Sequence, residues 1–416
     1  MKNNIWQDFK ELWVIKPFRR LIIARVVSNF GNGLQPVALA FGVLGLPGAT
    51  ASDLSKVQGA LFFPLVLFML VGGVVADRFP RALIVGVSDI LLSIFIITSG
   101  ILFLTDQQTV TKLIFISFVA GTLNALWWPA FMGITPEVVP EEKLQQANSV
   151  VSFGANFMNI IGIVAGGAMV AFLGSGLAIL IDGFTFLIAG LLVLRLRKFG
   201  KQRESNEHSP SVYDDLVHGW REFSSRKWVV IVVLSYTIIA MGIESVFAVL
   251  GPYNAKLNLD GPRPWSWVLA SLSIGMAVGV LVAMRVRPKH PLILGMGAQG
   301  AMVLFIVTMG LTDNIWIIMF TAFLCGIGMD LFMILWQTAL QTHIPRESLS
   351  RVSSYDAFGS LALAPLGLVL AGPAAERYGV SQTLVTLGIV IGITVLAVLA
   401  FPSVRKLEAK EPEKTV

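Results

Sequence analysis

Apolar residues run along this chain in long stretches that are separated by short polar turns. A helix needs about 20 apolar residues to cross a hydrocarbon core about 30 Å thick. Twelve stretches come close to that length or exceed it, at residues 19–44, 56–76, 82–104, 112–135, 146–172, 175–195, 228–251, 266–286, 291–311, 315–341, 350–372 and 380–402. The pattern therefore predicts an all-α membrane protein with twelve transmembrane helices.

The longest polar insert separates the sixth stretch from the seventh, which predicts two six-helix bundles. Two such halves are typical of carriers related by an axis along the membrane normal. In the insert, Leu216, Trp220 and Phe223 recur at helical spacing among charged residues, as in a helix on the membrane surface. We expect a cytosolic amphipathic N-terminus at 1–17, bundles at 18–197 and 228–402, a cytosolic linker containing this amphipathic helix at 198–227, and a cytosolic tail at 403–416.

Composition agrees with a multi-pass membrane protein, since 55% of the 416 residues are hydrophobic and 13% are charged. The net charge of +6 does not indicate nucleic acid, because the basic residues lie in short groups beside the apolar stretches. Most of the 31 Lys and Arg residues face the cytosol when both termini are placed there. We therefore expect cytosolic termini, a lipid bilayer as surroundings and no nucleic-acid partner.

Several kinds of chemistry are not indicated by the sequence. The single cysteine lies in an apolar stretch, and the four histidines lie in turns without metal-ligand spacing. No Gly-Lys-Ser/Thr phosphate loop occurs, and the one dinucleotide-like glycine pattern, at 295–300, lies inside an apolar stretch. We expect no metal, no cofactor and no enzymatic activity, and a chain that works as a monomer.

The turn after the second apolar stretch carries a recognisable motif. Gly73, Asp77, Arg78 and Arg81 resemble the signature between the second and third helices of the major facilitator superfamily. The resemblance implies that family's fold and a gating role for these four residues. It also implies that Asp77 latches the cytosolic side by facing the N-terminal dipole of the eleventh helix, which would start near 348–351.

A narrower resemblance covers nearly the whole chain and rests on the segments 128–130, 136–140, 214–223, 335–341 and 349–356. These segments are similar to those of the bacterial branch that includes the enterobactin exporter and macrolide efflux proteins. The resemblance implies proton-driven export of a small organic molecule across a prokaryotic cell membrane. A proton-coupled nutrient uptake symporter, a sensor without transport activity and a lipid-translocating protein are the alternatives on the same scaffold.

Polar and aromatic side chains recur at helical spacing within several apolar stretches, where they are costly unless they face protein or water. The resemblance implies that helices one, four, seven and ten line a central cavity. Candidate substrate-binding residues are Asn29, Asn32, Gln35, Trp127, Trp128, Asn156, Asn159, Tyr236 and Gln337. The alternative is that the amides bond neighbouring helices and that the tryptophans belong to the interfacial belt.

Two carboxylates are candidates for proton coupling. Asp330 lies about 15 residues into its helix, near the bilayer midplane at 1.5 Å per residue. It could take a proton from the outside and release it inside. Glu244 is the second candidate, closer to the external side. The alternative for either acid is a salt bridge or a hydrogen bond between helices.

Arg25, Asp89 and Asp356 share a depth of about 8–12 Å from the cytosolic ends of their helices. This common depth predicts ion pairs with a structural or gating role, because an unpaired arginine would be expensive there. Asp182 lies near the external end of the sixth helix, where we expect a hydrogen bond between helices.

Overall fold

The computed structural model describes residues 11–198 and 220–409, apart from the side chains at positions 70, 71, 73, 74, 77, 141, 346, 347, 350 and 351. All regular secondary structure in these residues is helical. Most of the N-terminal amphipathic segment, Leu216 in the linker and the end of the tail lie outside the described residues. The predictions for them stay predictions.

Twelve long helical segments follow one another along the described chain. The first six are α1 Lys16–Gly45, α2 Ala51–Arg78, α3 Arg81–Leu104, α4 Val110–Met132, α5 Leu144–Leu173 and α6 Ser175–Leu194. The next three are α7, which joins Lys227–Ser245, the π-turn Val246–Leu250 and Gly251–Asn258, then α8 Pro262–Arg285 and α9, which joins Pro291–Ala298 and Gly300–Leu311. The last three are α10 Ile315–His343, α11, which joins Arg346–Leu361 and Ala364–Tyr378, and α12 Val380–Ala400.

Short helical turns complete the described chain. They are Thr135–Val138, Glu141–Lys143, Arg195–Lys198 and Pro402–Arg405. Residues 11–14 and 220–225 are helical as well.

Ten of the twelve long helices, α3 to α12, are long and apolar enough to cross a membrane, as judged from the described residues. The described residues therefore form only helices, ten of which have the length and composition of membrane spans. The remaining two, α1 and α2, have 30 and 28 residues. α1 carries Arg25, Asn29, Asn32 and Gln35, which lower its hydropathy, and α2 includes side chains outside the described set. The count of twelve spans and the cytosolic termini stay predictions.

α7 is longer than the apolar pattern predicts, because a π-turn carries the helix past a proline. The predicted stretch ends at residue 251, whereas the helix reaches Asn258. Pro252 lies in the first turn of the final segment, where its missing N–H costs least. The π-turn before it rearranges the backbone hydrogen bonds without ending the helix.

The described chain divides into two compact units. The first contains residues 11–198 together with Asp260–Ser266, and the second contains residues 220–259 and 267–409. The first turn of α8 therefore groups with the first unit, although the predicted second bundle begins at 228.

The helices of the two units pack in the same order. In the first unit, α1 packs on α5 and α6, α3 on α4 and α6, and α2 on α4. In the second unit, α7 packs on α11 and α12, and α9 on α10 and α12. The close approach of α8 and α10 at Gly275 and Gly326 completes the repeat, which matches a carrier built from two similar halves.

Close helix crossings depend on glycine. A Cβ at Gly162 would lie 2.1 Å from the Phe30 backbone oxygen, and a Cβ at Gly33 would lie 2.2 Å from the Asn159 oxygen. α1 and α5 therefore touch backbone to backbone, as small residues allow in membrane helices. The one-residue turns α5–α6 and α11–α12 also use glycine, with φ of 82° at Gly174 and 85° at Gly379.

Candidate transport site

The amide side chains predicted to bind substrate make no hydrogen bond between helices in the described part of the chain. Asn32 and Gln35 on α1 are half-buried, and neither side chain bonds another described residue. Asn29 donates only to the Arg25 carbonyl oxygen one turn back, at 2.8 Å. On α5, Asn156 is exposed and Asn159 is half-buried, and neither makes such a bond. These amides therefore keep donors and acceptors that a ligand or water can use.

Arg25 on α1 is bound by aromatic rings of α4. Its guanidinium carbon lies 4.0 Å from the centroid of the Phe131 ring and 5.1 Å from that of Trp127. The two rings are stacked, with centroids 4.7 Å apart and an interplanar angle of 5°. This cation–π contact accommodates the arginine charge within an apolar helix pair.

Asp89 on α3 is 3% exposed and interacts electrostatically with Arg25, but the two do not form an ion pair within 4 Å. Arg25 Nε, Asp89 Oδ1 and Trp127 Nε1 are all buried without a hydrogen-bond partner. The two groups thus do not form the expected ion pair at contact distance, although their charges interact, and the guanidinium contacts the Phe131 and Trp127 rings. The four side chains lie close together, with unused donors and acceptors among them.

Trp128 differs from Trp127, although the two are neighbours on α4. It is 56% exposed, whereas the ring of Trp127 is half-buried against Phe131. Trp128 thus presents an open aromatic face, and Trp127 orients the arginine.

Asp330 on α10 is half-buried and makes no hydrogen bond or ion pair with any described residue. The Asp330 Cβ lies 3.1 Å from the place that a Cβ at Gly279 would take, so α8 packs closely on α10 beside the acid. Glu244 on α7 is also half-buried and without such a partner. Gln337, two turns along α10 from Asp330, is exposed. The structure leaves all three side chains available rather than bonded to neighbouring helices.

Asp356 on α11 is held by hydrogen bonds, and the ion pair expected for it is not made with any described basic side chain. The Trp336 Nε1 donates to Asp356 Oδ2 at 3.0 Å, and the Ser360 hydroxyl donates to Asp356 Oδ1 at 3.3 Å. No described basic side chain lies within ion-pair distance. The indole and the hydroxyl give each carboxylate oxygen a neutral donor, so among the described residues no second charge is buried beside them.

Tyr236 on α7 begins a row of aromatic rings in the second unit. Its ring stacks on Phe332 of α10 with a centroid distance of 5.2 Å, and Phe332 stacks on Trp336 at 6.4 Å. Trp228 meets the edge of Trp336 at 5.6 Å. The row connects a candidate substrate residue with the indole that binds Asp356.

The motif turn between α2 and α3 is anchored on α4. Arg81 Nη1 donates to the Gly133 carbonyl oxygen at 2.9 Å and lies 3.6 Å from Glu137 Oε1. Arg78 is exposed. Positions 73 and 77 lie outside the set whose surroundings are described, so the gating role of Gly73 and the Asp77 latch stay predictions.

Sequence reasoning missed Phe131 as a partner of Arg25, and Trp336 and Ser360 as partners of Asp356. Phe131 lies one turn after Trp127, and Ser360 lies one turn after Asp356, so helical spacing alone was a signal for each. Trp336 gave no such signal, because it reaches Asp356 from another helix. Among the described residues, no cluster of three His, Cys, Asp or Glu side chains could hold a metal ion.

Comparison with known proteins identifies the family. The sequence profile of the Major Facilitator Superfamily matches residues 21–367. The multidrug efflux pump Tap of Mycolicibacterium fortuitum is 27% identical, covering 94% of this chain and 97% of that protein. The uncharacterized MFS-type transporter YkuC of Bacillus subtilis (strain 168) is 24% identical over 74% of each chain.

Solved structures share the fold at low sequence identity. A bacterial homologue of the human lysosomal transporter Spinster, inward-facing and unoccupied, aligns with a TM-score of 0.70, 15% identity and coverage of 94% of this chain and 98% of that one. The nucleoside transporter NupG aligns with a TM-score of 0.74, 10% identity and coverage of 92% and 98%. With its profile match, its two similarly packed units and its efflux-pump relatives, this chain belongs to the Major Facilitator Superfamily.

Proposed function

We propose that this transporter exports small organic compounds of the drug or siderophore type, by exchange for protons and with alternating access. The observation that carries the proposal is the likeness to efflux pumps along 94% of the chain. Polar side chains left without partners on α1, α5 and α10 support a binding role for them. The site of action is the bacterial inner membrane, and the transporter works as a monomer.

Substrate recognition combines amides with aromatic rings. Asn29, Asn32, Gln35, Asn156, Asn159 and Gln337 supply hydrogen-bonding groups, and Trp127, Trp128 and Tyr236 supply ring faces. A mostly apolar surface with a few polar groups suits ligands that differ in detail but share amphipathic character. The open face of Trp128 suits a flat or cationic substrate in particular.

Asp330 is the proposed coupling acid, with Glu244 as the second. Asp330 is half-buried and makes no ion pair or hydrogen bond with any described residue, so one proton can bind and leave without breaking an existing bond. A membrane potential contributes about 2.3 kcal/mol per charge per 100 mV, enough to drive exchange of one proton.

Accumulation of a fluorescent cationic dye tests export. Cells that overproduce the protein should retain less dye than cells without it, and a protonophore should remove the difference. Equal accumulation for a broad panel of cationic and neutral compounds would contradict multidrug export. Greater accumulation in overproducing cells, again abolished by the protonophore, would indicate uptake by symport instead.

Asp330→Asn tests the coupling role. In inverted membrane vesicles, this variant should lose dye-dependent proton movement while dye still raises the thermal stability of the purified protein. Asp313→Asn is the matched control, since it makes the same change at an exposed position just before α10. Wild-type proton movement in Asp330→Asn would remove Asp330 from the mechanism, and loss in both variants would show a non-specific defect.

A further inference from the structure

Asp182 is a buried acid that the proposed mechanism does not use. It lies on α6 with 1% of its surface exposed, and its Oδ1 has no hydrogen-bond partner. Its backbone oxygen accepts from the Thr185 hydroxyl at 2.7 Å, so that bond does not reach the carboxylate. The hydrogen bond between helices that the sequence predicted is therefore not made by Oδ1.

The α1 backbone makes room for this carboxylate. A Cβ at Gly31 would lie 2.3 Å from Asp182 Oδ1 and 2.1 Å from Thr185 Oγ1. The acid thus packs directly against the α1 backbone, at a position where any larger residue would displace it. Its place is fixed by helix packing and not by a partner side chain.

A cavity opens beside the acid. It measures about 60 Å³ and lies within the first unit between α1, α2, α3, α4 and α6. Its polar lining consists of Asp182, Gln35, Ser99 and Ser117, and the remaining lining is aliphatic. A water needs about 10–15 Å³ by this kind of measure, so the space admits a few waters next to the carboxylate.

No described cation neutralises Asp182. No Lys, Arg or His among the described residues lies within ion-pair distance of it. Arg25 on α1 is six residues from Gly31, about 9 Å along the helix, and is held by aromatic rings. On α3, Asp89 is eight residues from Ile97, the residue that packs against α6 at Gly183, so it lies about 12 Å away along the axis.

The other charged groups on these helices lie at their ends. Asp53 and Lys56 pair with each other at the start of α2, and Asp106 and Lys112 flank the start of α4. α5 carries no charged residue, and α6 carries only Asp182. A carboxylate buried without a cation is expensive, whereas its protonated form needs only hydrogen bonds.

We propose that Asp182 and this cavity form a proton-binding site inside the first bundle, separate from Asp330. The proton comes from hydronium in the cavity, an O–H bond forms on the Asp182 carboxyl, and water remains. Asp182 lies seven residues from the start of α6, about 10 Å along the helix. In the predicted orientation this end is external, so the site loads from outside.

A sodium ion is the competing occupant and fits less well. Hard cations take several oxygen ligands, and this cavity offers one carboxylate, one amide and two hydroxyls. The Ser99 hydroxyl oxygen already accepts from Gln108 Nε2 at 2.8 Å, which leaves it one lone pair for an ion. A proton needs a single oxygen.

Reaction with dicyclohexylcarbodiimide tests the proposal on the purified full-length protein. This apolar reagent modifies protonated carboxyls in apolar surroundings, and peptide mass spectrometry locates the adduct. We expect an adduct on Asp182 at about pH 5 and a lower yield at about pH 9, because only the protonated carboxyl reacts. The yield should be the same in sodium chloride and choline chloride. Asp182→Asn should lose the adduct and keep its thermal stability, since a neutral amide replaces a neutral acid.

Two results would overturn the proposal. One is an absence of adduct on Asp182 throughout this pH range while other buried carboxyls react. The other is protection by sodium at constant pH, which would assign the site to that ion. The labelling needs neither substrate nor gradient, so a failure of the proposed export does not affect its outcome.

Discussion

The crossing of α1 and α5 allows a stability prediction with an internal control. Gly162→Ala would place its Cβ 2.1 Å from the Phe30 backbone oxygen, where ordinary contact begins at 3.4 Å. The overlap of about 1.3 Å (3.4 minus 2.1) involves backbone on the facing helix, which no rotamer change relieves. The two helices must therefore separate by about 1 Å, which weakens dispersion contacts along the whole crossing.

The expected magnitude follows from two opposing effects. Overpacking costs about 1–3 kcal/mol, and the upper part of that range applies because the clash is with backbone. Replacing a helical glycine with alanine returns about 1 kcal/mol of helix propensity. We expect Gly162→Ala to lower the free energy of unfolding by about 1–2 kcal/mol.

Gly297→Ala is the matched control. Gly297 is also helical, and a Cβ there meets no atom within 4 Å. This variant should gain up to about 1 kcal/mol from helix propensity alone. Denaturant unfolding of the purified protein in detergent measures both variants. A Gly162→Ala protein as stable as Gly297→Ala would refute the close crossing of α1 and α5.

Three further predictions concern polar contacts. Trp336→Phe removes the indole donor to the buried Asp356 carboxylate and should lower the free energy of unfolding by about 1–3 kcal/mol in denaturant unfolding, whereas an unchanged value would contradict that bond. Arg81→Ala frees the carbonyl at the end of α4 and should speed proteolysis of the adjoining turn, while wild-type proteolysis would argue against the anchor. The pKa of Asp53 is lowered, mainly because the Lys56 side chain hydrogen-bonds to it. The small contribution of this pair to the free energy of unfolding should therefore be present near neutral pH and lost as the pH falls below about 4. Thermal scans at low and high salt check the role of Lys56, because salt should screen an exposed ion pair. A contribution to Tm that does not change with salt would contradict the assignment to Lys56.

The sequence predicted the architecture well because bilayer physics is local. Each span must satisfy its own backbone hydrogen bonds and bury its own side chains in lipid, so a stretch of about 20 apolar residues marks a helix without knowledge of its neighbours. The positions of α3 to α12 and the family motif at Gly73–Arg81 were read from the sequence in this way. The predicted end of α7 was less accurate, because the π-turn that carries the helix past Pro252 leaves no mark in the apolar pattern.

Side-chain partners were decided by the tertiary structure, since they come from helices far apart in sequence. Equal depth suggested ion pairs for Arg25 and Asp356, but depth does not determine which residue faces which. A cation–π contact from α1 to α4 gave Arg25 its aromatic partners, and packing of α10 on α11 gave Asp356 an indole. The apolar pattern alone determined that this chain crosses a membrane as helices. The helix crossings were decided by the tertiary structure, because they depend on glycines that a hydropathy pattern treats like any other small residue. These crossings place Asp182 beside a cavity and leave its Oδ1 without a hydrogen-bond partner.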